Sequence, residues 1–490
     1  MEDLLRNVYN FESHSFKVDW DQKGNKPSVA NNSQSKIDPN SPSDGNLKLA
    51  GLLSSVGPGL VYALTVLGTG DVVSNTAAGA HYGYRLLWAL ALTLVFRYVW
   101  VSTSAKYVLV TGESLLKGYG RVAPWVPLIV ILSFFPIRHF ANQYLMLMMG
   151  SSSHMLFPIH TDAEWSAGIW SCLFTLVGFA MMFWGGYPTI ERFCKVLIGI
   201  MGSSLLVAAM LSNPDPTAIL KGTFMPSVPE GQGLYDALFI VMALIGTEAG
   251  TTANMTYVYF MSERGWNNVS YLKRQRFDLA IGVLCLFVMG ALLQIAAAGV
   301  VHPLGIEIQS PEDLGRLFSE TQGKIGLVAF ALGLWGSAFS SFIGFNTGYA
   351  LILTDVCRNF VPGLKKDETK TSTNSNRFIT WIQHIPATDK EYVAQKDPVF
   401  RIIISLWALL PIYIIFTDIS AVWLVLIVAA FPVLLIPILG LSLLHITNDR
   451  KLMGKYKNGW LTNSILILLI LISFYFAYDQ GDDLWREVFG

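Results

Sequence analysis

Charge is scarce in this chain. Only 14% of its 490 residues are Asp, Glu, Lys or Arg, against roughly 25% in a typical soluble protein. The shortage excludes an ordinary water-soluble globule, and a hydrophobic fraction of 52% points to the lipid bilayer as the chain's surroundings. The net charge of +0 lacks the basic excess that a nucleic-acid partner requires. Cysteine is nearly absent as well. Cys172, Cys194, Cys285 and Cys357 lie in or at the ends of apolar segments, with neither a disulfide framework nor metal-cluster spacing. Also missing are Gly-x-x-x-x-Gly-Lys-Ser/Thr, His-Glu-x-x-His and a nucleophile elbow. No enzyme is expected, no cofactor is implied, and no obligate protein partner is evident. No cleavable leader is expected: residues 1–49, with "NKPSVANNSQSKIDPNSPSDGN", read as a disordered cytoplasmic tail.

What the chain has in abundance is long apolar runs. A membrane-spanning helix needs about 20 mostly apolar residues. Eleven stretches qualify: 51–80, 86–111, 124–150, 165–185, 194–212, 234–261, 278–301, 325–356, 399–416, 419–446 and 460–478. Of these, 399–416 is short and 325–356 is long for one span. With a cytoplasmic N-terminus, the inner connections carry 19 Lys and Arg, and the outer ones with the C-terminal tail carry 5. The positive-inside rule therefore places the N-terminus in the cytoplasm and the C-terminus outside. The inner loop 357–398 reads as a flexible connector. The expected organisation is an all-α, multi-pass membrane body over 50–478, followed by a short extracytoplasmic tail, 479–490.

Two of the spans are interrupted. The first carries Gly68-Thr69-Gly70-Asp71, and the sixth carries "GTEAGTTANM" from Gly246 to Met255. Glycine costs a helix about 1 kcal/mol relative to alanine, and a carboxylate at bilayer depth costs roughly 3 kcal/mol. Each break falls about ten residues into its span, near the midplane, where interrupted helices of transporters mark the substrate site. Spans 1–5 (51–212) and 6–10 (234–446) would then be repeats of opposite topology, with 460–478 as an added helix. Close packing through small residues accounts for Gly246 and Gly250, but not for Asp71 and Glu248.

At this point a resemblance enters. "GPG" (57–59) with "AGAHYGYRLLW" (78–88), "AILKGTFMPSVP" (218–229), "GLWGSAFSSFIGFNTGYALILTD" (333–355) and "FPVLLIPILGLSLLHITNDRKLMG" (431–454) resemble the NRAMP family of divalent-metal transporters. The resemblance implies a LeuT-like fold of inverted five-helix repeats with helices 1 and 6 broken. The departures fall at the metal-binding positions. The family's first-span Asp-Pro-Gly-Asn is replaced by Gly68-Thr69-Gly70-Asp71, so its liganding Asp becomes Gly68 and its Asn becomes Asp71. In ungapped register, Gly246-Thr247-Glu248 stands where the family has Met-Pro-His. A family Gln in the tenth span falls on Leu424 and a ninth-span Arg on Ser405. The acidic pair of the third span is gone, and Arg138 and His139 are there instead, as possible gating residues. Without that pair proton coupling is in doubt, and passive, potential-driven flux is an alternative.

Two substrate readings follow. Asp71 and Glu248 on facing breaks could balance a divalent cation, and a hard ion that keeps its waters, such as Mg²⁺, needs only one or two carboxylates. Loss of the family's thioether removes a preference for softer ions, so Mn²⁺ or Fe²⁺ bound in the family's manner is not expected. Alternatively, Gly68 and Gly246 empty the centre, and small Gly70, Ala249 and Gly250 with Thr69, Thr251, Thr252, Asn75 and Asn254 line a roomier pocket for a small polar or cationic organic solute, Thr247 being a further substrate-binding candidate at the break. Tyr62, Tyr257 and Tyr259 would supply its walls. A non-transporting sensor is a further alternative. Arg138 either gates a vestibule or snorkels to the interface. Gln294 is read as a helix–helix hydrogen bond, His154, His160, Asp162 and Glu164 as a solvated outer loop, and Asp278 and Asp355 as facing the membrane interface.

Overall fold

The structure is a computed structural model that describes residues 51–52, 55–68, 70–229, 237–249, 252–304, 311–360, 364, 381–382, 387–388, 391–392, 394–416 and 421–479. The expected tail 1–49 lies outside the described residues, as do the expected tail 479–490 apart from residue 479 and most of the expected inner loop.

All eleven apolar stretches are found as helix, and they differ in kind. The first is split into α1 (Pro58–Val66) and α2 (Gly70–Tyr82). Next come α3 (Leu87–Thr111), a short connecting α4 (Leu115–Val122), α5 (Trp125–Leu156), α6 (Ala163–Trp184) and α7 (Gly186–Leu211). A second connecting helix, α8 (Pro216–Phe224), leads to the split sixth stretch, α9 (Ala237–Glu248) and α10 (Thr256–Glu263), with a 3-10 turn Thr252–Met255 between. The remainder are α11 (Leu272–Val300), α12 (Pro311–Phe360), α13 (Pro398–Leu409), α14 (Ala421–Asn448), α15 (Arg450–Met453) and α16 (Trp460–Asp479). A two-residue antiparallel ladder, β1 (Ala387–Thr388) with β2 (Glu391–Tyr392), is the strand pairing among the described residues.

Among the described residues six unbroken helices are long and apolar enough to cross a membrane. The expected count of eleven includes the two split stretches and the shorter apolar helices. The overlong stretch 325–356 has a local cause: Gly323, at φ +67, breaks α12, and the apolar span is Thr321–Asn359. The short stretch 399–416 is α13 continued by a 3-10 segment, Leu410–Phe416.

Local chemistry sets several boundaries. Asp162, Asp215 and Asp397 each cap the helix that follows, and Pro216 and Pro398 occupy the first helical positions, where a missing N–H costs nothing. Gly112 ends α3 in the left-handed region. Exposed Ile169, Leu173 and Leu176 on α6, and Leu468, Leu471 and Phe474 on α16, form apolar outer faces suited to lipid. The broken helices lie inside: α1 packs on α7, α10, α11 and α12, and α2 packs on α9 and α11. On α12, Gly344 and Gly348 let the helix approach closely, because a Cβ at either would collide with Thr65 of α1 or Thr256 of α10.

Candidate functional site

Helix α1 ends because its last carbonyls find other donors. Ser340 and Ser341 Oγ donate to the Leu64 carbonyl at 3.1 and 2.9 Å, and Ser337 Oγ donates to the carbonyl of Leu67. These three serines of α12 replace the hydrogen bonds that a continuing helix would make. Gly68 follows, and a side chain there would collide with Ser341. The space beside Gly68 is occupied by that serine rather than left as an emptied centre. Thr69 lies outside the described residues.

Asp71 sits in the first turn of α2, where the helix dipole favours a negative charge. Its carboxylate Oδ2 is 3.3 Å from Nη1 of Arg97 on α3, and the two residues are 2% and 0% exposed. Asn75, one turn on, donates to the Asp71 carbonyl at 2.7 Å. Arg97 escaped the sequence reading although the signal was present: a charged residue in the middle of an apolar span is a functional candidate by default.

The second break lies slightly later than expected. Helix α9 continues through Gly246, Thr247 and Glu248, and the 3-10 turn begins at Thr252. The side chains of Gly246, Thr247, Glu248 and Leu424 are outside the described set. Asn254, on the 3-10 turn, donates to the Ala249 carbonyl at 3.1 Å and accepts from the Tyr62 hydroxyl of α1. That bond brings the two breaks together. Met255, buried on the same turn, was passed over in the sequence reading.

The tyrosines are engaged in structure. Tyr62 packs edge-on against Tyr257, with ring centroids 5.6 Å apart. Tyr257 donates to Asp278 Oδ2 at 3.1 Å, and Tyr259 donates to Asp355 at 3.0 Å. Asp278 does not face the interface. It is fully buried and accepts the Gly57 and Gly59 N–H groups at 2.8 and 2.7 Å, anchoring the N-terminus of α1 to α11. Asp355 is half-buried near the C-terminal end of α12, tied to Tyr259 and Asn359.

Arg138 and His139 lie on α5. Arg138 does not snorkel: it is 2% exposed, with its guanidinium 4.5 Å from the Phe345 ring centroid. His139 is half-buried and hydrogen-bonds the Tyr413 hydroxyl at 2.9 Å. Gln294 makes no helix–helix hydrogen bond; both amide atoms are buried without a partner among the described residues. His160, Asp162 and Glu164 are exposed, as a solvated loop requires, and His154 is half-buried. Ser405 donates to the Arg401 carbonyl of its own helix.

The sequence matches the family described as "Natural resistance-associated macrophage protein-like" over residues 59–478. The chain belongs to the Nramp family. It is a multi-pass integral membrane transporter and not an enzyme. The "Divalent metal cation transporter MntH" of Caldanaerobacter subterraneus is 23% identical over 308 residues, covering 60% of this chain and 70% of that protein. The Eremococcus coleocola manganese transporter, solved with an aromatic bis-isothiourea compound, superposes with a TM-score of 0.68 at 16% identity, over 92% of this chain and 94% of that one. MhsT in complex with L-phenylalanine gives 0.55 at 13% identity, over 85% and 98%. The LeuT-like architecture that the Nramp resemblance implied is the architecture found, with helices 1 and 6 broken.

Proposed function

We propose that this Nramp protein is a secondary transporter whose cargo is a hard divalent cation, with Mg²⁺ the leading candidate, received at Asp71. The observation that carries the reading is the buried Asp71 carboxylate on the first turn of the second half-helix, paired with Arg97 of α3. Relatives named as divalent metal cation transporters support the cation class. Among the described residues no three His, Cys, Asp or Glu stand together as a metal cage. A hydrated hard cation needs the sparsest protein donor set, one or two carboxylates, whereas softer transition metals draw on thiolate, thioether or imidazole. Glu248 would supply the second carboxylate, with Asn75 and Asn254 as polar neighbours.

Arg97 adds a condition. Its guanidinium already compensates Asp71, so an arriving cation exchanges with an internal one rather than filling a bare anionic hole. The driving energy comes from gradients, since no nucleotide motif is present, and the cytoplasmic N-terminus argued from the Lys and Arg distribution sets the direction of the repeats.

The same ion pair favours a second reading, a zwitterionic organic solute whose cationic group meets Asp71 while its carboxylate meets Arg97. Uptake of Mg²⁺ and Mn²⁺ into proteoliposomes, side by side and with Asp71→Asn as control, separates these. Saturable, Asp71-dependent Mg²⁺ flux with little Mn²⁺ preference is expected. A strong Mn²⁺ preference overturns the hard-ion assignment. Flux of neither ion from folded protein overturns the cation reading, and uptake of a labelled zwitterion then tests the second one.

A further inference from the structure

Among the described residues three arginines are almost wholly buried: Arg97, Arg358 and Arg138. The first two face carboxylates, Asp71 and Asp397. Arg138 faces none. Its Nε and Nη2 donors are both buried and reach no acceptor among the described residues. The guanidinium lies over the Phe345 ring and 5.7 Å from the centroid of Tyr349. Ring faces attract the charge but leave the N–H donors unmet.

Two polar side chains near Arg138 on α5 have other bonds. Asn142, one turn along α5, donates to Asn346 Oδ1 and to the Trp407 carbonyl at 2.8 and 2.9 Å. His139 is bonded to Tyr413. Arginine does not escape by losing its proton, and an isolated charge in a protein interior is strongly unfavourable unless something pairs with it. The two unmet nitrogens form one edge of the guanidinium, the edge whose parallel N–H groups fit two carboxylate oxygens or a single spherical anion.

We propose that Arg138 is the cationic half of a small-anion site between α5 and the aromatic face of α12, filled by a monovalent anion, either chloride or a short carboxylate. The anion neutralises the buried charge and accepts both donors. Arg138 lies against Phe345 and Tyr349, whereas Asp71 pairs with Arg97, and the proposal does not depend on what cargo the protein carries. An anion held inside the transport body gives the protein a second ionic requirement, distinct from its substrate.

The test uses the full-length protein in detergent, exchanged into a bulky sulfonate buffer free of small anions. Melting temperature is then followed while chloride or acetate is titrated at constant ionic strength. A saturable rise with at least one of them is expected, with loss of that rise in Arg138→Met. A response to chloride alone assigns a halide site, and a response to acetate assigns a carboxylate site. Arg138→Lys, a point charge without the fork, should keep a chloride response and weaken an acetate response. A flat wild-type titration with both anions overturns the proposal, and it does so whether or not any variant folds. An equal rise in Arg138→Met also overturns it.

Discussion

Two buried ion pairs of the same chemical type sit in different parts of the molecule and are built differently. Arg358 and Asp397 meet as a fork, Nε to Oδ2 at 2.9 Å and Nη2 to Oδ1 at 2.8 Å. Arg358 also donates to the carbonyls of Ile382 and Leu364, and Asp397 caps α13 through the Val399 N–H. These partners come from helix ends and connections, so the pair ties α12 to α13. Arg97 and Asp71 meet at 3.3 Å, at the edge of normal hydrogen-bond range, with Asp71 on the first turn of a half-helix. The fork is an anchor, fixed by geometry from several directions. Of the two contacts the 3.3 Å one is the longer, and under the proposed function it is the one that exchanges as cargo binds.

The comparison breaks most decisively at the anchor. Arg358→Leu should cost about 3–5 kcal/mol, because Asp397 is left as an uncompensated buried charge. A large fall in melting temperature or folded yield is the readout, with transport per folded molecule little changed. At the other pair, Asp71→Asn should cost less, about 1–3 kcal/mol, since the amide oxygen still accepts from Arg97, while transport is abolished. Equal destabilisation of the two variants, or normal flux in Asp71→Asn, would erase the distinction between anchor and site.

A smaller effect sharpens the description of the break itself. Gly68→Ala should cost about 1–3 kcal/mol through overpacking against Ser341. Ser341→Gly in the same chain should recover part of that loss in a melting experiment, whereas an additive loss would place the clash elsewhere.

The sequence made the breaks legible because glycine and carboxylate in an apolar run are each costly, and both coincide at Gly68–Asp71. It was less informative where partners come from distant helices. Ser337, Ser340 and Ser341 recur at helical spacing on an apolar span, yet nothing local to them says that Leu64 and Leu67 carbonyls await them. Asp278 looked interfacial from its place at a span end, and only the packing of α1 on α11 turns it into a buried cap for Gly57 and Gly59. Arg97 was different in kind: its position alone was a sufficient signal. For Arg138 the residue was visible in the sequence, but its burial depends on Phe345 and Tyr349, which lie some 200 positions along the chain.

The mildest variant probes how the two breaks are joined. Tyr62→Phe removes one hydroxyl and keeps the ring that packs on Tyr257. The loss should be about 1 kcal/mol, the ordinary net worth of a hydrogen bond, with the stranded Asn254 oxygen able to raise it. Asn254→Ala removes the same bond from the other side, together with the donor to Ala249. If the Tyr62–Asn254 bond is the tie between the half-helices, a double-mutant cycle on melting free energies should show coupling well above the error of additivity, about 0.5 kcal/mol. Tyr62→Phe should then slow transport more than its small stability cost explains, because the two breaks must rearrange together around one substrate. Additive energies with unchanged flux would mean that the breaks are held side by side by packing alone, through Gly344 and Gly348 of α12.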